Sequence, residues 1–181
     1  MTRRHVGRLV AGLAAVLLPL GGAQVALATS AQAAPNAVNL CYDASDAPDY
    51  QAESTQAAAN WNSVVQNVHL DSCGGATILI HETSGGGSYT QTDGHGSGDI
   101  YIDVQQVAEG NDPTRILAHE MGHNLGLPDH YSGPCSEIMS GHGPGPSCKN
   151  AMPDANEAAQ VDQNFANGFA ANAPALARVY R

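Results

Sequence analysis

One run of residues constrains this chain more than any other: His119-Glu120-Met121-Gly122-His123-Asn124-Leu125-Gly126-Leu127-Pro128-Asp129. At about 100° per residue, His119 and His123 fall about 40° apart on one face of a helix, while Leu117, Met121 and Leu125 fall on the opposite face. Such a helix buries one side in a core and offers two imidazoles on the other. Gly126 suits the left-handed conformation that ends a helix, so the chain can turn back there and bring Asp129 towards the imidazoles. Two imidazoles and a carboxylate match the donor set of a catalytic zinc, which takes three protein ligands and keeps the fourth position for water. His130 adjoins Asp129, and imidazole is itself a common zinc ligand, so the residues alone leave the third donor open between these two. Glu120 adjoins one ligand yet points to the side of the metal, the place from which a carboxylate can take a proton from the zinc's water as general base.

The surroundings of this run fix a compartment. Arg3, Arg4 and Arg8 precede an apolar stretch at 9–20, too short to span a bilayer, and small residues before position 34 give a cleavage pattern. Residues 1–33 are therefore expected to be a signal peptide and 34–181 a single secreted, extracellular domain. Those three arginines are part of a total of seven basic residues, and all seventeen acidic residues lie beyond them, so the chain after residue 33 has a formal charge of −13. That sign argues against nucleic acid as a partner. No later stretch has transmembrane length, and a monomer without membrane attachment is expected. All four cysteines follow the signal, which in an oxidising compartment favours two disulfides in one of three connectivities. Pairing neighbours joins Cys41 to Cys73 and Cys135 to Cys148. Cys41 would end a first strand and Cys73 follow the next, so a crossover between them can set both on one sheet edge.

Period-2 alternation and apolar runs predict strands at 38–42, 67–70, 76–82, 89–92 and 100–104. Helical spacing predicts helices at 49–65, from Asp112 to Gly126, and from a capping box at Asp154 and Glu157 to Gly168. The result is an α+β fold, a mixed sheet of four to five strands with a crossover helix, an active-site helix and a C-terminal helix. The strand at 89–92 is expected at an open sheet edge beside the zinc, available to pair with an extended polypeptide. The tail from about residue 169 carries no pattern.

The run HEMGHNLGLPD resembles the HExxHxxGxxH motif of metzincin proteases with aspartate in the third ligand position, a variant similar to the snapalysin family of small secreted bacterial zinc endopeptidases. The likeness extends through 87–96, 127–136, 139–141 and 143–148 and covers about 38–168. It implies a metzincin-like sheet, zinc on His119, His123 and Asp129, and Met139 as the methionine of a turn beneath the metal. It also implies Tyr131 as a residue stabilising the oxyanion, a Cys135–Cys148 disulfide, and calcium just before the active-site helix at Asp112 and Thr114. Asp112 followed by Pro113 is equally an ordinary helix start. Cys41, Cys73 and the tail depart from the family pattern.

Three functions fit such a site. A zinc endopeptidase acting on extended polypeptide is the leading reading. A zinc amidase for another extracellular polymer, such as peptidoglycan, is weakened by the lack of a wall-binding repeat. A catalytically silent, zinc-stabilised binding module conflicts with Glu120, because a purely structural site fills all four positions with protein ligands.

Overall fold

Alternating burial builds the sheet. On β1 (Val38–Asp46), β3 (Ile78–Thr83) and β5 (Gly98–Asp103), the residues Leu40, Tyr42, Ile78, Ile80, Ile100 and Ile102 turn to one face and are buried. Each isoleucine so buried contributes about 1.5–3 kcal/mol relative to exposure. The computed structural model describes residues 37–166 and, for the backbone alone, 176–179; the expected signal at 1–33 lies outside the described residues.

With β2 (Val68–Ser72), β4 (Tyr89–Thr92) and β6 (Leu176–Val179), the strands are ordered β2-β1-β3-β5-β4-β6. The pairs β1/β2, β1/β3 and β3/β5 are parallel, and β4 is antiparallel to both neighbours. Parallel neighbours require a crossover, and α1 (Gln51–Asn62) supplies the one between β1 and β2. Register sets Cys41 opposite Asp71 and Tyr42 opposite Ser72, which carries Cys73, just past the end of β2, beside Cys41; the Cys41–Cys73 disulfide closes there with Cα atoms 5.2 Å apart. Cys135 pairs with Cys148 at 5.7 Å.

Small residues let α1 lie close to the core: Ala57, Ala58 and Trp61 are buried, and Trp61 Nε1 donates to Ala118 O at 2.8 Å. That bond reaches α3 (Pro113–Asn124), in which every residue from Arg115 to Asn124 is buried. Asp112 caps α3 by accepting from Arg115 N at 2.9 Å, and Pro113 occupies its first turn, as the sequence predicts. The expected capping box of Asp154 and Glu157 opens α4 (Ala155–Phe165), whose Ala158, Val161 and Phe165 close the core.

Three features differ from the sequence expectation. β1 continues beyond residue 42 to Asp46, with an irregular register between Asp43 and Asp46. The chain turns into a short helix α2 (Val104–Ala108) where a strand residue was expected at Val104, because the Asp103 carboxylate caps Gln105 N at 2.9 Å and also gathers Gly85 N and Gly87 N at 2.9 and 2.8 Å. Finally, β4 is not the sheet edge. The tail contributes β6, which pairs with β4 on the side away from β5.

Candidate metal centre

The helix α3 and the turn that follows it build the site. His119 and His123 are fully buried, and each spends its Nδ1–H on a carbonyl: Ile138 O at 3.0 Å for His119 and Leu127 O at 2.8 Å for His123. Since a carbonyl only accepts, both rings are fixed with Nε2 bearing its lone pair towards the other. The two Nε2 atoms lie 3.1 Å apart. Two lone pairs at that distance repel unless a cation stands between them.

Gly126, at φ 86°, ends α3 as expected. A Cβ there would come within 2.8 Å of Gly94 O, so the residue is required both by its conformation and by close approach. Leu127 N returns to Gly122 O at 3.0 Å, and the chain delivers Asp129 Oδ1 to within 3.3 Å of His119 Nε2 and 3.2 Å of His123 Nε2. Despite that proximity Oδ1 is buried without a hydrogen bond. Ligands at 2.0–2.1 Å in a tetrahedron are separated by about 3.3 Å, so these three atoms already stand at the vertices a zinc would demand. Among the described residues, His119, His123 and Asp129 are the one group of three or more His, Cys, Asp or Glu side chains whose ligand atoms all lie within 4.8 Å of one another. His130 turns elsewhere: its backbone N–H bonds Met139 O at 2.8 Å, and its ring, largely exposed, bonds Glu137 at 2.5 Å.

Electrostatics follows from burial. Desolvation drives the His119 pKa down to about 4, which keeps the imidazole neutral and available as a donor. Desolvation pushes Glu120 up to about 7, partly offset by His123 and by the Thr90 hydroxyl. Thr90, itself fully buried on β4, donates Oγ1–H to Glu120 Oε2 at 2.7 Å. Glu120 Oε1 is left with no partner.

Beneath this layer, Met139 lies in a 3-10 turn (Ile138–Ser140) and is almost fully buried. Its Sδ would stand only 2.5 Å from a Cβ at position 122, so Gly122 is what lets Met139 pack against α3. Glu157 holds the turn in place by accepting from Ile138 N at 3.0 Å and Met139 N at 2.7 Å. Tyr131 and His119 flank Gly141, where a Cβ would meet Tyr131 Cε1 at 3.1 Å and His119 Cε1 at 3.2 Å. The Tyr131 ring therefore borders His119, edge-on to His142 with ring centroids 5.2 Å apart. Asp112 and Thr114 sit at the start of α3, where the Asp112 carboxylate is used as the cap.

Sequence reasoning did not identify Thr90 or Arg115. Arg115 stands one turn before His119, buried to 2% exposure, and its guanidinium donates to the carbonyls of Cys135, Glu137, Gly141 and Asn150 and to Ser140 Oγ. A lone basic residue one turn before the histidine pair was the available signal. Because it stitches the Met139 turn and the disulfide loop to α3, Arg115→Met should lower stability by about 3 kcal/mol or more, leaving several buried acceptors unpaired. Urea unfolding measures it, and a loss under about 1 kcal/mol would contradict that role.

A family model described as the Streptomyces extracellular neutral proteinase (M7) family matches residues 37–168. The chain belongs to this family. It is 54% identical over 132 residues to the extracellular small neutral protease of Streptomyces caespitosus, a match covering 72% of this chain and 99% of that protein. It is 51% identical over 137 residues to the extracellular small neutral protease of Streptomyces lividans, covering 75% of this chain and 60% of the relative. The protein of that name from Streptomyces sp. strain C5 is 50% identical, with 59% of its length covered. The chain thus spans nearly the whole of one relative and about three fifths of the other two. The snapalysin-type resemblance read from the motif is the family found, and membership makes the chain a protease. No helix among the described residues is long and apolar enough to cross a membrane.

Proposed function

We propose that this protease, extracellular like its relatives, is a zinc metalloendopeptidase in which His119 Nε2, His123 Nε2 and Asp129 Oδ1 hold the metal and Glu120 is the general base. The observation that carries this reading is the triangle of three buried donor atoms 3.1–3.3 Å apart, with both Nδ1–H groups already committed to carbonyls. A zinc ion there supplies Lewis acidity, polarising a peptide carbonyl and acidifying a water. The remaining chemistry belongs to the chain. Glu120 Oε1, without a partner of its own, takes a proton from the attacking water and returns it to the departing amine, while Thr90 keeps Oε2 fixed. Tyr131, whose ring and that of His119 both approach Gly141, donates its hydroxyl to the developing oxyanion in this reading. Met139 contributes packing under the histidines and no ligand. An extended polypeptide substrate pairs with the outer side of β4 in place of β6, and Thr90 of β4 touches Glu120, so that main-chain pairing sets the scissile bond beside the base. Calcium at Asp112 and Thr114 is a second, structural proposal, supported by their place at the start of α3.

Metal analysis of the purified chain, alongside casein cleavage with and without a chelator, tests the reading. One zinc per chain and loss of cleavage on zinc removal are expected, with His123→Ala losing both together. Stoichiometric zinc in His123→Ala would mean that the ligand set is wrong. A calcium content near zero would remove the second proposal.

A further inference from the structure

β6 occupies the edge on which the proposed substrate must pair. Its backbone runs antiparallel to β4 in the register Tyr89↔Val179, Thr90↔Arg178, Gln91↔Ala177 and Thr92↔Leu176. β4 has only two edges, and β5 holds the inner one. The outward N–H and C=O groups of β4 can bond the tail or an incoming polypeptide, not both. The site lies close by: Thr90, opposite Arg178, has its hydroxyl on Glu120 Oε2 at 2.7 Å.

The tail is also an addition to the shared domain. The family match ends at residue 168, and the 132-residue match already accounts for 99% of the Streptomyces caespitosus relative. Charge favours docking: no acidic residue follows Asp162, and Arg178 and Arg181 are two of the four basic residues after position 33, in a chain that is otherwise strongly acidic.

We propose that the outer edge of β4 is a strand-docking surface whose resident occupant is the chain's own C-terminal segment, residues 176–179, held there in competition with substrate. The inference rests on the reading of β4 as the substrate edge. A docked tail leaves only the undocked fraction able to bind substrate. The apparent KM rises by the reciprocal of that fraction, whereas kcat at saturation is unchanged.

The test compares the full chain with the full-length double variant Ala177→Pro/Arg178→Pro. Successive N–H groups of a strand point to opposite sides, so one of the two prolines removes a bond to β4 whichever faces it. Two readouts are taken: hydrogen exchange of the amides at 89–92, and steady-state cleavage of a short peptide. Docking predicts faster exchange of the outward amides in the variant, together with a KM several-fold lower at equal kcat. A synthetic peptide of residues 174–181 should restore both in trans, as a competitive inhibitor. Unchanged exchange overturns the proposal, and so does an equal KM in two active proteins. Exchange protection that disappears on dilution overturns it as well, by assigning the strand to a second copy. If neither protein cleaves peptide, the endopeptidase reading fails instead, and exchange alone decides whether the tail docks.

Discussion

Glu120→Gln is expected to keep its fold and its zinc while kcat falls by roughly 10²–10⁴-fold, the usual contribution of a general base. The substitution preserves shape in a site with no room to spare, since Glu120 is fully buried. Its amide oxygen can still accept from Thr90 Oγ1, which in the parent bonds Oε2 at 2.7 Å. The amide NH₂ then takes the place of Oε1, the atom without a partner in the structure and the one assigned here to take the proton. An NH₂ group there cannot accept a proton. None of His119, His123 or Asp129 is altered, so metal content separates loss of the base from loss of the site. Burying a carboxyl whose pKa is pushed up to about 7 costs stability once it ionises, so the glutamine variant should unfold no more easily than the parent near neutral pH. Peptide kinetics, zinc content and a melting curve on one preparation are sufficient. Near-normal turnover in this variant would overturn the mechanism.

What could be read from the sequence was what local rules determine. The pair His119 and His123, the cap at Asp112, the stop at Gly126 and the capping box at Asp154 and Glu157 each depend on residues within one or two turns, and all are found as expected. Cys41 and Cys73 were within reach because the parallel pairing of β1 and β2 sets Cys41 opposite Asp71, two residues before Cys73. The contacts that escaped are long-range. Thr90 meets Glu120 thirty residues on, by an antiparallel pairing that lays β4 beside α3, and nothing local to Thr90 signals that role. Arg115 spans 20–35 residues to reach its carbonyls, an arrangement that exists only once the 135–150 loop has folded over α3. Glu157, recognised as a cap, proves also to hold the Met139 turn, because its two oxygens serve the α4 cap and the turn together. The tail escaped for a different reason: Leu176-Ala177-Arg178-Val179 shows no clean period-2 alternation, and its partner β4 reads as an open edge when nothing signals the strand beyond it.

Asp129→Ala should weaken zinc binding by more than about 100-fold, beyond the cost of an outer-shell change, whereas His130→Ala should keep the metal. The two residues are neighbours, and Pro128 biases the chain ahead of them towards an extended path in which successive side chains diverge. Their partners show the divergence: Asp129 Oδ1 stands 3.2 Å from His123 Nε2, while the His130 ring bonds Glu137 from a side chain that is 58% exposed. Removing Asp129 leaves two neutral imidazoles, which is one donor short and without the charge that helps hold a divalent cation. Removing His130 breaks a largely solvated pair worth about 0–1 kcal/mol. Zinc titration against a competing chelator, read together with casein cleavage, distinguishes the two variants on one scale. Should His130→Ala lose the metal and Asp129→Ala retain it, the carboxylate is not the third ligand, and the triangle of donor atoms would need another explanation. The aspartate also has a chemical consequence that an imidazole would not. On the proposed ligand set, an anionic ligand would leave the cation a weaker Lewis acid than three neutral histidines, and more of the proton transfer would fall to Glu120, whose burial raises its pKa to about 7.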